Sequence, residues 1–73
     1  MSKVVIGKSY RHYKGGEYQV IALARHSETM VDLVVYQSQE EKEKIWARPF
    51  ELFTSTVIVN GESVPRFSQI TDL

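Results

Sequence analysis

Tyr10-Arg11-His12-Tyr13-Lys14-Gly15-Gly16-Glu17-Tyr18-Gln19-Val20-Ile21-Ala22-Leu23-Ala24-Arg25 is the stretch that decides the fold. Tyr10 to Tyr13 reads as a short strand. Lys14-Gly15-Gly16 closes it, because paired glycines supply the positive φ that a tight hairpin requires. Glu17 to Arg25 then returns as a long strand. Its apolar residues, Tyr18, Val20, Ile21 and Leu23, fall on both parities, so a bend is expected, with each half facing the core differently.

Outward from this hairpin, strand signals continue. His26-Ser27-Glu28-Thr29 is a polar turn, and Asp32 to Gln37 is a β-branched central strand. Ser38 to Lys44 is polar throughout and has no apolar stripe, so it reads as an exposed hairpin loop despite its helix propensity. Ile45 to Arg48 is the next strand. Pro49 fixes φ and withholds a donor, which suits the first turn of a short helix through Glu51-Leu52-Phe53. Thr54 to Val59 is a strand, Asn60-Gly61 a hairpin turn, and Glu62 to Val64 the returning strand before Pro65. The tail is expected to fray except where Phe67 or Ile70 docks. The result is one mainly β domain over residues 1–73, with 68–73 as tail. Five or six short strands and one helical turn are best accommodated by a small, strongly bent SH3-like barrel, which hides most sheet edges; an open α+β sheet is the alternative.

Composition narrows the chemistry. The chain of 73 residues has no cysteine, so disulfides, thiolate zinc and thiol nucleophiles are excluded. Its two histidines supply at most half of a metal site, and no cofactor is expected. The apolar run Val4-Val5-Ile6 is far too short for a signal core or a membrane span, so a soluble cytoplasmic protein is expected, with no membrane partner and a monomeric or weakly dimeric state. Net charge is zero, which argues against wholesale polyanion binding. Residues 1–25 nevertheless carry a balance of +4, and the rest −4.

Tyr10-Arg11-His12-Tyr13-Lys14-Gly15, Tyr18-x-Val20, Ala24-Arg25-His26-Ser27-Glu28-Thr29, Val34-Val35-Tyr36, Trp46-x-Arg48-Pro49, Phe53, Val57, Gly61 and Val64-Pro65-Arg66-Phe67 form a set. With it the chain resembles, from about residue 7 to 67, a family of short bacterial proteins grouped as a domain of unknown function. The resemblance implies a small, mostly β domain and brings no reaction, cofactor or substrate. Two departures from the pattern stand out. Gln39 to Lys44 replaces an expected glycine and bulky apolar residue before Trp46, and Ala47 stands where a valine is expected.

Several residues are candidates for chemistry. His12 and His26 each follow an arginine, and on a strand Arg11 and His12 point to opposite faces. The plain reading is that the imidazoles are structural. A functional reading requires both to converge with Glu28 as an acid–base pair or a metal triad. Ser27 and Thr29 read as turn caps rather than nucleophiles. Trp46 and Arg48 share parity, so both project from one face, suiting stacking or recognition of a carboxylate or phosphate. Against that stands Trp46 as core and Arg48 paired with Glu28 or Glu51.

The reading that follows is a non-enzymatic β-barrel module binding a peptide, protein or anionic ligand, with Arg11, His12, Arg25, His26, Glu28, Trp46 and Arg48 as candidate binding residues. One alternative is RNA or other single-stranded nucleic acid, held by Tyr10, Arg11, Tyr13, Lys14 and Arg25. A second is a small enzyme centred on His26 and Glu28.

Overall fold

The computed structural model describes residues 4–70. In chain order the elements are β1 (Ser9–His12), β2 (Glu17–Arg25), β3 (Asp32–Ser38), β4 (Ile45–Pro49), α1 (Phe50–Phe53), β5 (Thr56–Val59), β6 (Glu62–Pro65) and β7 (Phe67–Gln69). The class is mainly β with one short helix. Among the described residues seven strands form two sheets: a five-stranded antiparallel sheet in the order β4-β3-β2-β1-β7, and a two-stranded β5-β6 ladder.

The expected barrel does not close. Closure needs an unbroken ladder of hydrogen bonds between the two edges of a sheet, and the large sheet ends at β4 on one side and β7 on the other. The β5-β6 hairpin stands apart from both edges. Isolated backbone bonds flank it, from Arg66 N–H to Ser55 O and from Tyr13 N–H to Arg66 O.

Local chemistry explains most of the elements. Gly15 and Gly16 take φ of 99° and 84°, and Asn60 and Gly61 take 52° and 80°, so both hairpins turn on left-handed residues. The bend in β2 is a register shift between Val20 and Ala22. The polar loop after β3 is held by Ser38, whose hydroxyl accepts from the N–H groups of Glu40 and Glu41. Thr54 and Ser55, expected in a strand, instead close α1 by donating to Phe50 O and Leu52 O, so β5 starts later. The tail docks through Phe67, the exception expected for it, and adds a strand that was not expected. Phe67–Gln69 pairs with β1, with His12 opposite Phe67, because Phe67 is drawn into the core; residues 71–73 of the expected tail lie outside the described residues.

Cross-strand partners share a face, so the ladders show what each face carries. Tyr10 opposes Tyr18, Val20 opposes Tyr36, Tyr36 opposes Trp46, and Val34 opposes Arg48. This face is covered in part by α1, whose Phe53 is 2% exposed. Phe53 stacks on Phe67 at 4.1 Å and 9° and meets Tyr10 and Tyr36 at 5.5 Å each. Val4, Val20 and Val34 complete the core. The buried Tyr10 hydroxyl accepts from Val5 N–H at 3.0 Å, and among the described residues no buried side-chain polar atom lacks a partner.

Candidate functional site

Where α1 stops covering that face, its remaining side chains frame a cleft. It has a volume of about 240 Å³ and is lined by His12, Tyr18, Tyr36, Trp46, Arg48 and Phe67. β1 supplies His12, β2 Tyr18, β3 Tyr36, β4 Trp46 and Arg48, and β7 Phe67. All point to one side because strand residues two apart, and their partners across the ladder, share a face.

The floor is Tyr36 and Phe67, both buried and 5.4 Å apart between ring centroids. Tyr18 stands edge-on to Tyr36 at 5.4 Å and to Trp46 at 5.6 Å. Gly16 makes room for it: a Cβ there would lie 3.3 Å from the Tyr18 ring and hydroxyl. Trp46 remains 41% exposed, an aromatic surface open to solvent. His12 closes the far side, 4.9 Å from Phe67 at a T-shaped angle.

Arg48 is the one cation lining the cleft, more than half buried. Its guanidinium carbon sits 5.5 Å from the centroid of the Phe67 ring, a cation–π geometry. The expected pairing with Glu28 or Glu51 does not occur. The ion pairs among the described residues are Arg11–Glu17, Arg25–Asp32, His26–Glu28 and Lys44–Glu41. The register explains the difference. Arg48 opposes Val34 and faces the aromatic cluster, whereas Glu51 is exposed on α1 and Glu28 lies in the turn after β2.

The cation marks its neighbours. Burial lowers the His12 pKa from its ordinary 6.5, and Arg48, Arg66 and Lys14 push it further down, so the ring is neutral at pH 7. Its Nδ1 accepts from Lys14 N–H at 3.2 Å, which leaves the proton on Nε2. Burial raises the Tyr36 pKa, opposed by the Arg48 guanidinium, so that hydroxyl keeps its proton.

The cleft therefore unites three of the candidates, His12, Trp46 and Arg48. The other four lie elsewhere. Arg11 is on the opposite face of β1, paired with Glu17 at 2.8 Å. Arg25 pairs with Asp32. His26 and Glu28 share an exposed turn, where the His26 Nδ1 accepts from the N–H groups of Glu28 and Thr29. They do not meet His12, and no cluster of three His, Cys, Asp or Glu able to hold a metal occurs among the described residues. The basic and aromatic residues proposed for nucleic acid are also dispersed: Tyr10 is core, and Arg11 and Arg25 are held by acids. Tyr18, Tyr36 and Phe67 are the members the candidate set missed. The one signal for them is the shared parity of Tyr18, Tyr36 and Trp46, and it speaks only once the register is known.

A larger groove of about 570 Å³ lies between β1, β7 and the β5-β6 hairpin, with Val59, Val64, Pro65 and Ile70 in its lining. It borders the other side of His12, but its guanidinium, Arg11, is already engaged by Glu17. The cleft around Arg48 has the stronger recognition chemistry. No helix among the described residues is long and apolar enough to cross a membrane.

Comparison with known proteins agrees with the architecture. Residues 8–69 match the family model described as a protein of unknown function, DUF1653. Among solved structures, the crystal structure of a DUF1653 protein from Bordetella bronchiseptica superposes with a TM-score of 0.80 at 30% sequence identity, covering 94% of this chain and 91% of that one. Curated proteins give no match.

Proposed function

The chain belongs to the DUF1653 family of proteins of unknown function, and from that premise we propose that it is a small non-catalytic binding module that holds an anion in the aromatic cleft at Arg48. The observation that carries this reading is the state of Arg48. A guanidinium presents five donors in a fixed fork and cannot be discharged. Here it rests on Phe67 without a carboxylate in ion-pair reach among the described residues. A partly buried cation without an internal counter-charge attracts an external one, and aromatic walls strengthen that attraction by displacing water. Among the described residues the cleft is lined by no serine, threonine or cysteine, and its open guanidinium and aromatic walls are groups that bind.

The test is a titration of the 15N-labelled protein with sodium acetate, inorganic phosphate and sodium chloride at constant ionic strength. Saturable shifts confined to residues of the cleft and the Trp46 indole N–H are expected for acetate or phosphate and not for chloride, and they should vanish in Arg48→Ala. Shifts that are absent, linear, or unchanged by the substitution would overturn the reading.

A further inference from the structure

We propose that the ligand is an aromatic monocarboxylate: one planar ring carrying one carboxylate group. The inference rests on the anion-binding reading of the cleft and names the chemistry that fits it. Three features of the lining lead there.

The first is hydrogen-bonding polarity. Arg48 offers only donors, and the free nitrogen of His12 is Nε2–H, since Nδ1 is taken by Lys14 N–H at 3.2 Å. The Tyr18 and Tyr36 hydroxyls can donate as well, and no carboxylate or amide side chain lines the cleft. A ligand seated here must bring acceptors.

The second is the charge count. Arg66 and Lys14 are close enough to depress the His12 pKa, yet neither lines the cleft. Arg66 Nε donates to Ser55 Oγ at 3.1 Å, and Lys14 Nζ lies 5.8 Å from the Tyr13 ring. One guanidinium therefore faces the ligand. Its planar fork matches the two oxygens of a carboxylate, and a single positive charge balances a monoanion better than a phosphate dianion.

The third is what surrounds the charge. Beyond Arg48 and the His12 ring the lining is Tyr18, Tyr36, Trp46 and Phe67, whose faces and edges favour a flat ring in stacked or edge-on contact. The cleft's 240 Å³ falls below the roughly 300–1,000 Å³ of sites for drug-sized ligands. One ring with its acid group fits; an extended chain does not. The ring acid could be a free metabolite or the last residue of a polypeptide ending in Phe, Tyr or Trp, since both present the same pair of groups.

Five probes separate these cases in the same NMR titration, with Trp46 fluorescence as a second readout: phenylacetate, N-acetylphenylalanine, N-acetylphenylalanine amide, acetate and inorganic phosphate. Phenylacetate is expected to saturate the cleft at least tenfold more tightly than phosphate or acetate, while the amide, which lacks the carboxylate, leaves it unperturbed. N-acetylphenylalanine binding as tightly as phenylacetate assigns a chain terminus as an acceptable source; weaker binding assigns a free acid. Arg48→Lys keeps the charge but loses the fork and should weaken phenylacetate about tenfold, and Trp46→Ala should weaken phenylacetate while leaving acetate unchanged. Phosphate or acetate binding as tightly as phenylacetate would overturn the aromatic-acid assignment while leaving the anion reading intact. Equal binding of acid and amide would also overturn it, and the failure of every anion would overturn both.

Discussion

Replacing Arg48 with alanine should leave the domain folded and only slightly less stable. The geometry sets the size. The guanidinium lies 5.5 Å from the Phe67 centroid, and a cation–π contact at a partly buried guanidinium contributes about 1 kcal/mol, between the exposed and desolvated limits. The methylene stem covers some aromatic surface and adds a few tenths more. Stripping a carboxylate of its partner would cost far more, roughly 3–5 kcal/mol for a buried pair, but Arg48 holds no carboxylate among the described residues. The expected loss is therefore about 1 kcal/mol, which for a domain of this length lowers Tm by roughly 4–8 °C. Thermal melts followed by circular dichroism, with urea titrations to check that the m-value is unchanged, make the measurement. A loss above 3 kcal/mol would refute the reasoning, since it would mean that Arg48 neutralises an internal acid and is not free for a ligand.

Three further outcomes follow from the same contacts. Phe53→Ala removes the side chain that pins α1 to the sheet and should cost about 3–5 kcal/mol, a large part of the roughly 4–11 kcal/mol such a chain can possess; a loss under 1 kcal/mol in urea titration would show that α1 is not docked. Gly16→Ala places a Cβ at φ 84° and 3.3 Å from the Tyr18 ring, so a loss of about 1–2 kcal/mol should accompany a shifted Tyr18 resonance, and an unchanged melt would contradict the turn geometry. His12 has a folded pKa below its unfolded 6.5, so between the two values the unfolded chain binds more protons and stability falls as pH drops from 6.5; His12→Gln should flatten the pH dependence of Tm in that window, and an identical slope would remove His12 as its source.

Much of the architecture could be read from local chemistry. Gly15-Gly16 and Asn60-Gly61 announce their hairpins because positive φ is a property of single residues. The bend in β2 is visible as mixed parity, and the polar run after Ser38 is a loop because it has nothing to bury. Misreadings arose where a segment's fate depends on something distant. Docking of Phe67 is legible as an apolar side chain in a polar tail, but the strand Phe67–Gln69 exists only because β1 offers it an edge. Barrel closure was inferred from the need to hide edges, but β4 runs directly into α1 and β7 is three residues long, so the edges are kept short rather than joined.

The candidate site divides in the same way. From sequence alone came His12, Trp46 and Arg48, and the fact that Trp46 and Arg48 share a face, since alternation along one strand needs no knowledge of its neighbours. Tertiary structure decided that Tyr18, Tyr36 and Phe67 join them, that Arg48 meets Phe67 instead of Glu28 or Glu51, and that His26 is left on a remote turn. The physical reason is register. A pairing such as His12 with Phe67, or Val34 with Arg48, is set by the packing of the whole sheet around Phe53, and a slip of one residue would send every side chain of a strand to the opposite face.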